Sequence, residues 1–304
     1  MRPLLLSVRS FSRSLIACLL ISLVSSTVMP VIAFGQPKEL LLGIEPEHNI
    51  FDQVERYRYL ADYLSDQLGV KVKLTTMSRY GEVIKRFKTL KLDGAFLTSY
   101  TATMGIKELH LVQVANPVNL SGESTSQGYI FVRKDSGIRS MVDMEGANIV
   151  FVDPATMEGY LFPLAFLQQH GVKDLNKFFH RYYFSGSHVS AIFAVLDGRA
   201  DIGAAKDTFY SNLVNNDPSI EQELEIIARS PKVPEVTLCI KSEIDQDLRE
   251  KLGRVLLHMN KTPDGIKVLQ RFKAIRFIES KKADFVIIEK MAQRALGAPT
   301  VQGK

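Results

Sequence analysis

The strongest constraint on the fold is the regular alternation of short apolar runs with amphipathic segments from Glu39 onward. The amphipathic segments have a helical period; residues 57–68, for example, repeat leucine at every fourth position before Gly69 ends the run. Strands that alternate with helices are typical of mainly parallel sheets covered by helices, so we expect an α/β fold. The predicted strands comprise residues 40–44, 70–75, 94–97, 129–132, 148–152, 182–184, 200–204 and 237–240.

Two extended stretches divide this pattern into two lobes. Residues 119–127 are polar, and residues 226–234 contain Ser230-Pro231 and Val233-Pro234, which stiffen the chain. We predict that both stretches cross between the lobes as hinge strands. The predicted first lobe comprises residues 36–124 and 232–304, including a mostly helical C-terminal segment that packs back on it, and the second lobe comprises residues 125–231.

The N-terminal 35 residues have the pattern of a secretory signal. Arg9 and Arg13 flank an apolar run over residues 14–33, and small residues after it permit cleavage near Gly35. We therefore predict export to the periplasm. An uncleaved membrane anchor is the alternative, which Pro30 and the hydroxyl residues within the run disfavour.

The signal segment changes what the charge implies. The whole chain carries 38 basic and 33 acidic residues, a formal net charge of +5. Three arginines lie in the predicted signal, so 35 basic residues remain against 33 acidic ones in the exported chain. This small excess does not indicate a surface for a polyanion, and we expect no nucleic-acid partner.

The two cysteines point to neither lipid attachment nor a disulfide. Cys18 lies in a sequence like a lipoprotein processing box, but Arg13 leaves almost no apolar segment ahead of it, so lipidation is not expected. Cys239 is then the single cysteine of the exported chain, and we expect it to be a small buried apolar residue in a strand.

The motifs of common enzyme classes do not occur in the sequence. There is no Gly-x-Ser-x-Gly elbow, no His-Glu-x-x-His zinc motif, no Walker loop and no Gly-x-Gly-x-x-Gly fingerprint. Ser185, Ser187 and His188 suggest a nucleophile and a base, but they are sequence neighbours without an orienting acid. A hydrolytic enzyme is therefore the less favoured alternative, and we expect a non-catalytic protein without metal or cofactor.

Several segments, in order along most of the chain, resemble the phosphate/phosphonate-type periplasmic binding proteins of ABC transporters. The segment 184–188 reads Phe-Ser-Gly-Ser-His, and the segment 198–201 reads Gly-Arg-Ala-Asp. The other matching segments are residues 92–97 running into Tyr100, 128–138, 141–146, and 151–154 leading to Gly159.

The resemblance implies a two-lobed type II binding-protein fold with a small-molecule ligand in the cleft between the lobes. It also implies a monomer that closes about a hinge and delivers its ligand to an inner-membrane ABC permease. A protein of the same fold can instead report its ligand to a membrane-bound sensor. The sequence leaves both partners open.

Two loops lie where such folds bind ligands. Residues 153–159 and 185–188 each follow a predicted strand and precede a predicted helix, at the carboxyl edge of the sheet. The free N–H groups of a helix start form an anion site, to which side chains add donors. The candidate donors are Thr156, Ser185, Ser187 and His188. The alternative is that the hydroxyls only cap their helices and that His188 is a capping or surface residue.

Three further candidates come from the resemblance alone. It implies that Tyr100 and Tyr129 close over the ligand from the first lobe and the hinge side, and that Asp207 contacts the end of the ligand away from phosphorus. The alternative is that both tyrosines are core aromatic residues whose hydroxyl groups reach water. His188→Ala is expected to weaken ligand binding and to leave the melting temperature of the empty protein unchanged.

The chain departs from the family pattern in the first loop. The family reads Ser-Thr-Ser-Gly where this sequence reads Ala155-Thr156-Met157-Glu158-Gly159, with two hydroxyls fewer and a carboxylate added. Glu158 would repel a phosphonate at the helix start. We expect its side chain to point to solvent, with pairing to a cationic ligand group as the alternative. The ligand class implied is a phosphonate- or phosphate-like anion, and its identity stays open.

Overall fold

The computed structural model describes residues 39–47 and 49–297. The predicted signal segment, its cleavage near Gly35 and Cys18 lie outside these residues. The described residues form one compact unit, which contains both lobes described below. Within the described residues no helix combines the length and the apolar character that a membrane span requires.

Strands and helices alternate through most of the described chain, as the sequence pattern predicts. The strands are β1 (Glu39–Ile44), β2 (Lys71–Thr76), β3 (Gly94–Thr98), β4 (Leu111–Asn119), β5 (Thr125–Ser126), β6 (Gly128–Arg133), β7 (Asn148–Phe151), β8 (Arg181–Phe184), β9 (Ile202–Lys206), β10 (Leu224–Arg229), β11 (Val233–Pro234), β12 (Val236–Lys241) and β13 (Ala274–Glu279). The α-helices are α1 (Ile50–Leu68), α2 (Val83–Thr89), α3 (Ser99–Glu108), α4 (Phe162–Gln169), α5 (Leu175–Phe178), α6 (His188–Leu196), α7 (Asp207–Asn216), α8 (Ser219–Glu223), α9 (Gln246–His258), α10 (Pro263–Phe272) and α11 (Val286–Leu296). A π turn, Met157–Leu161, precedes α4, and short 3-10 turns occupy Lys134–Ser136, Val142–Met144, Met259–Lys261 and Lys282–Phe285.

Each lobe is built on one mixed sheet. The first sheet has the order β13-β4-β12-β3-β1-β2, and only β12 and β13 run against the other four strands. The second sheet has the order β10-β6-β9-β7-β8, and only β6 runs against the others. The predicted α/β fold with two mainly parallel sheets is confirmed. The parallel strands β1, β2, β3, β7, β8 and β9 end at the edges that carry the site described below.

The two predicted crossings pair with each other. Strands β5 and β11 form a separate two-stranded antiparallel sheet, in which Val233 lies opposite Ser126 and Pro234 opposite Thr125. The N–H of Glu235 donates to the carbonyl of Ser124 at 3.0 Å and continues this contact. The hinge is therefore a short ladder of main-chain bonds. The boundaries predicted at residues 124/125 and 231/232 stay a prediction, and they lie beside these two strands.

Several local expectations are wrong. The second crossing begins later than predicted, because residues 226–229 belong to β10 and pair with β6. The C-terminal segment contains strand β13 in addition to helices. Helix α2 begins at Val83 instead of Tyr80.

The apolar residues form three clusters, one of which spans both lobes. One cluster packs α1, α9 and α10 against the first sheet, and a second packs α6 and α7 against the second sheet. The third contains Leu97 and Ala102 from the first lobe together with Phe151 and Leu161 from the second. Helix α11 contacts α3 and α4, so the C-terminal helix packs against both lobes.

Two glycines test how tightly the first lobe is packed. A Cβ at Gly94 would lie 2.7 Å from the carbonyl oxygen of Cys239 on the neighbouring strand, whereas at Gly253 in α9 the nearest atom is 3.7 Å away. Gly94→Ala should lower the free energy of unfolding by about 1–3 kcal/mol, because two paired strands must separate. Gly253→Ala should raise it by about 0.5–1 kcal/mol through helix propensity. Urea unfolding of both variants measures the two effects. Equal changes would contradict the close approach of β3 and β12.

Candidate functional site

A cluster of buried and partly buried polar side chains lies where the two lobes and the hinge meet. Its members come from the carboxyl ends of the parallel strands and from the chain beside β5 and β11, because those are the segments that point into the cleft. They are Glu45, Glu47 and Tyr80 from the first lobe, Glu158, His188, Lys206 and Asp207 from the second lobe, and Ser126 and Glu235 from the hinge.

Lys206 is the single cation of this cluster. It is the last residue of β9, its side chain is 1 % exposed, and its ammonium pairs with the carboxylate of Glu47 across the cleft. Burial lowers the pKa of Lys206, but the charges of Glu47, Glu158 and Glu235 outweigh that effect and hold the pKa above its usual range. The lysine therefore carries its positive charge at neutral pH.

Two of these carboxylates are held by hydroxyl groups. Ser126 in the hinge donates its Oγ proton to Oε1 of Glu158 at 2.7 Å, and Thr208 donates to Oε1 of Glu235 at 3.0 Å. Burial raises the pKa of Glu235 to about 7, with the charge of Lys206 opposing it. We call Glu47, Glu158 and Glu235 the carboxylate cluster. Its three members come from the first lobe, the second lobe and the hinge, and the charge of each raises the pKa of Lys206.

Glu45 occupies the start of helix α3. Its Oε2 accepts the N–H of Thr98 at 2.8 Å and the hydroxyl of Thr101 at 2.5 Å, whereas its buried Oε1 has no hydrogen-bond partner. Burial raises the pKa of Glu45 to about 7. A protein carboxyl therefore fills the anion position at this helix start. A pocket lined by Glu45, Glu47 and Glu235 opens beside it.

His188 is a packed residue and not a surface or capping residue. It is 2 % exposed, its ring stacks on Phe209 with 5.0 Å between ring centroids, and Nδ1 accepts the backbone N–H of Lys206 at 3.0 Å. Because His188 is packed in this way, we now expect His188→Ala to lower the melting temperature of the empty protein and not to leave it unchanged. The histidine fixes the end of β9 from which the lysine side chain extends.

Tyr80 brings the first lobe to His188. It lies in the loop after β2, is 6 % exposed, and meets the His188 ring edge-on with 6.3 Å between centroids. Burial, together with the charge of Glu47, raises the pKa of Tyr80 well above 10. Gly81 follows in a left-handed conformation (φ 73°), and a Cβ there would lie 2.8 Å from Cβ of Ala155 in the second lobe. No sequence pattern singles out Tyr80, whose only signal is its place after a strand.

The hydroxyls predicted to bind ligand are engaged locally. Thr156 is buried and donates to the carbonyl of Asp153 at 2.7 Å. Ser185 donates to the carbonyls of Phe151 and Ser187. Ser187 caps α6 by accepting the N–H of Ser190 at 3.1 Å. The structure thus brings the two predicted loops to the cleft edge, with their hydroxyls in capping and turn-forming bonds.

Asp207 connects the second lobe to the hinge. Its Oδ1 accepts the N–H of Gln127 at 3.0 Å, and its own N–H donates to the carbonyl of Gln127 at 2.9 Å. Burial raises the pKa of Asp207. This residue lies beside Lys206, as its place after β9 predicts. These two bonds hold the crossing strand in place.

The two predicted tyrosines pack against aromatic and apolar residues. Tyr129 packs edge-on against Tyr210 of α7 and lies under the guanidinium of Arg229, on the helix-covered face of the second sheet. Tyr100, in the first turn of α3, is half-buried against the apolar cluster that spans the lobes. Burial raises its pKa. The structure does not bring Tyr129 together with the cleft residues.

The expectation for Glu158 is wrong. Its side chain does not point to solvent: the residue is 1 % exposed and accepts the hydroxyl of Ser126. The additional residue in this loop is absorbed by the π turn Met157–Leu161, which carries the carboxylate inward. Within the described residues no group of three or more His, Cys, Asp or Glu is arranged to hold a metal ion.

Residues 42–285 match the family described as the phosphonate ABC transporter periplasmic substrate-binding proteins. The chain belongs to this family. The predicted family and the expected role as a substrate-binding protein are therefore confirmed. The expectation that the chain is not an enzyme is confirmed as well, since the family binds substrates without transforming them.

Curated relatives and solved structures are similar over most of the chain. A protein of Prochlorococcus marinus described as a probable ABC transporter phosphite binding protein is 25 % identical over 91 % of this chain and 94 % of its own length. The phosphonates-binding periplasmic protein of Escherichia coli is 23 % identical over 88 % of this chain and 80 % of its own length.

Two solved structures share the fold. The structure of PhnD1 from Prochlorococcus marinus in complex with methylphosphonate has a TM-score of 0.74 at 23 % identity, and covers 87 % of this chain and all of the other. A binding protein component of an ABC phosphonate transporter from Pseudomonas aeruginosa has a TM-score of 0.73 at 22 % identity, and covers 88 % of this chain and 91 % of the other. The two-lobed α/β fold is therefore confirmed.

The raised pKa of Glu45 makes the folded state sensitive to pH. Between pH 4.5, its usual pKa, and about 7, the folded chain keeps a proton that the unfolded chain releases, so the free energy of unfolding falls as pH rises through this window. In Glu45→Gln the side chain at this position is neutral at both pH values. Between pH 5 and pH 8 the free energy of unfolding of this variant should therefore fall by roughly 2–3 kcal/mol less than that of the wild type. Urea unfolding at both pH values measures the difference.

Glu39→Gln is the matched control, because Glu39 lies on the same strand with a half-exposed side chain. It should lose as much free energy between the two pH values as the wild type. Equal losses in the wild type and Glu45→Gln would show that Glu45 ionises normally.

His188→Ala should lower the melting temperature of the empty protein. The change leaves the buried N–H of Lys206 without its acceptor and removes a stacked ring, which costs about 1–3 kcal/mol or roughly 2–10 °C in a chain of this size. Calorimetry of residues 36–304 measures the shift. His180→Ala removes an exposed histidine of the same lobe and should have no effect. Equal melting temperatures of both variants would contradict the packed position of His188.

Proposed function

We propose that this protein binds a small phosphorus oxyanion (a phosphonate, phosphite or phosphate) between its lobes and delivers it to an ABC permease. The family and the names of the relatives support the ligand class and the transporter. The finer points belong to the same proposal: cleavage of the signal near Gly35, a monomeric exported protein, and a permease instead of a sensor as the partner.

The observation that carries the proposal is the buried ammonium of Lys206 at the meeting of the two lobes. The loop before α6 lies next to it, because His188, the first residue of that helix, accepts the N–H of Lys206. An oxyanion at this loop would meet both the N–H groups of a helix start and a fixed positive charge. Ser185 and Ser187 supply hydroxyl donors there when their local bonds rearrange.

Closure explains how such a ligand would be retained. The ladder between β5 and β11 allows the lobes to move as bodies, while Tyr80 and Gly81 contact the second lobe directly. A ligand that contacts both lobes stabilises the closed form in proportion to its differential contacts. We therefore place Tyr80 among the closing residues, together with Thr156, Ser185, Ser187, His188 and Asp207 on the second lobe.

Thermal shift of the exported protein tests the ligand class. Phosphate, phosphite and methylphosphonate are the probes, with sulfate and acetate as controls for general anion effects. A ligand at about a hundred times its dissociation constant adds about 2.7 kcal/mol, which raises the melting temperature by roughly 5–10 °C. A shift with a phosphorus oxyanion alone is expected. No shift from any of the three at millimolar concentration, or an equal shift from sulfate, would contradict the proposal.

A further inference from the structure

The ammonium that the proposed function assigns to the ligand is paired with an anion of the protein itself. Lys206 ends β9 in the second lobe, and its partner Glu47 follows β1 in the first lobe. The two side chains are 1 % and 10 % exposed. Among the described residues this is the one ion pair that joins the two lobes. The carboxylate of Glu47 is therefore both a contact between the lobes and the present occupant of the lysine.

A ligand oxyanion and this carboxylate compete for the same charge. Both accept charge-assisted hydrogen bonds from an ammonium, so both fit the same position on Lys206. An oxyanion added beside the paired carboxylate would place like charges together where little water screens them, which is strongly unfavourable. An oxyanion that reaches Lys206 must therefore replace Glu47.

The two members of the pair differ in how firmly the chain holds them. Lys206 belongs to the central strand of the second sheet, and its N–H donates to Nδ1 of His188 at 3.0 Å. Glu47 lies in the link between β1 and α1, where its N–H donates to the carbonyl of Glu45 at 2.9 Å. Its side chain can leave the lysine without breaking a strand or a helix. The ammonium is thus the fixed member, and the carboxylate is the exchangeable one.

We propose that Glu47 is an affinity- and specificity-determining residue, whose carboxylate occupies the oxyanion position on Lys206 and is displaced by the ligand. The inference rests on the proposed function and deepens it. A phosphorus oxyanion displaces Glu47 because it carries more negative charge than a carboxylate and also meets the helix start of α6. A free monocarboxylate offers only what Glu47 already offers, and it competes with a group that the chain holds at high effective concentration. Glu47 therefore excludes monocarboxylates.

The first test is the affinity of Glu47→Gln. Glutamine keeps the size of the side chain and removes its charge, so the ligand no longer has to break an ion pair. Titration calorimetry with methylphosphonate, phosphite and phosphate should show at least about tenfold tighter binding to the variant than to the wild type. Glu39→Gln is the matched control, because its pair with Lys73 lies within the first lobe, and it should bind as the wild type does. Equal or weaker binding to Glu47→Gln would overturn the proposal.

The second test needs no phosphorus compound. Glu47→Ala lacks a fragment that acetate supplies, so acetate at millimolar concentration should raise the melting temperature of this variant by several degrees. Uncharged acetamide should have no effect on the variant, and acetate should have none on the wild type. Adding Lys206→Met to Glu47→Ala should abolish the response to acetate. A folded Glu47→Ala that acetate does not stabilise would contradict the assigned position of the carboxylate.

Small-angle scattering tests the contact between the lobes, and it includes a measurement on the wild type in case the variants do not fold. Because the ion pair holds the lobes together, the wild type should have nearly the same radius of gyration with and without saturating methylphosphonate. Glu47→Gln should be larger without the ligand and should contract when it binds. A wild type that itself contracts clearly on binding would show that Glu47 does not hold the lobes together.

The failure of the proposed function has a different signature. If neither the wild type nor Glu47→Gln binds a phosphorus oxyanion, the ligand class is wrong. The response of Glu47→Ala to acetate then still shows whether Glu47 occupies an anion position on Lys206.

Discussion

The ion pair between Lys206 and Glu47 is the contact on which the closed arrangement of this protein depends. It joins the end of β9 in the second lobe to the segment after β1 in the first, and the lysine side chain is almost completely buried. Removal of one member of such a pair leaves an uncompensated charge in a poorly solvated place, at a cost of about 3–5 kcal/mol. The remaining cleft residues are arranged around this pair: His188 holds the backbone of Lys206, and the hinge residue Ser126 holds Glu158.

Residues of the hinge are hydrogen-bonded directly to residues of the site. The bonds of Gln127 to Asp207 and of Glu235 to Ser124 tie two carboxyl-bearing residues of the cleft to the first of the two crossing strands. A movement of the lobes therefore changes the distances between charges directly. This coupling gives a binding protein of the family a physical route from ligand charge to closure.

Much of the fold could be predicted from local patterns, and the failures have physical reasons. The leucine repeat and Gly69 predicted the second half of α1, and Gly69 indeed ends that helix in a left-handed conformation. The prolines near residue 232 predicted the crossing because proline holds the chain extended. Strand β13 was missed because its sequence, Ala-Ile-Arg-Phe-Ile-Glu, has a polar residue at every third position and lacks the alternation that is typical of a half-buried strand. Tyr80 was missed because a loop residue has no period to reveal its partner.

The sequence by itself determined the α/β class, the two crossings, the family and the two loops at the carboxyl edge, since all of these depend on neighbours within a few residues. Tertiary structure alone decided that Glu158 points inward, that His188 is packed, and that Tyr129 faces the helices of its own lobe. It also decided the charge of the site. Glu47 and Lys206 lie 159 residues apart in the chain, and the energy of a charge depends on its distance from other charges and on the exclusion of water, neither of which local sequence records.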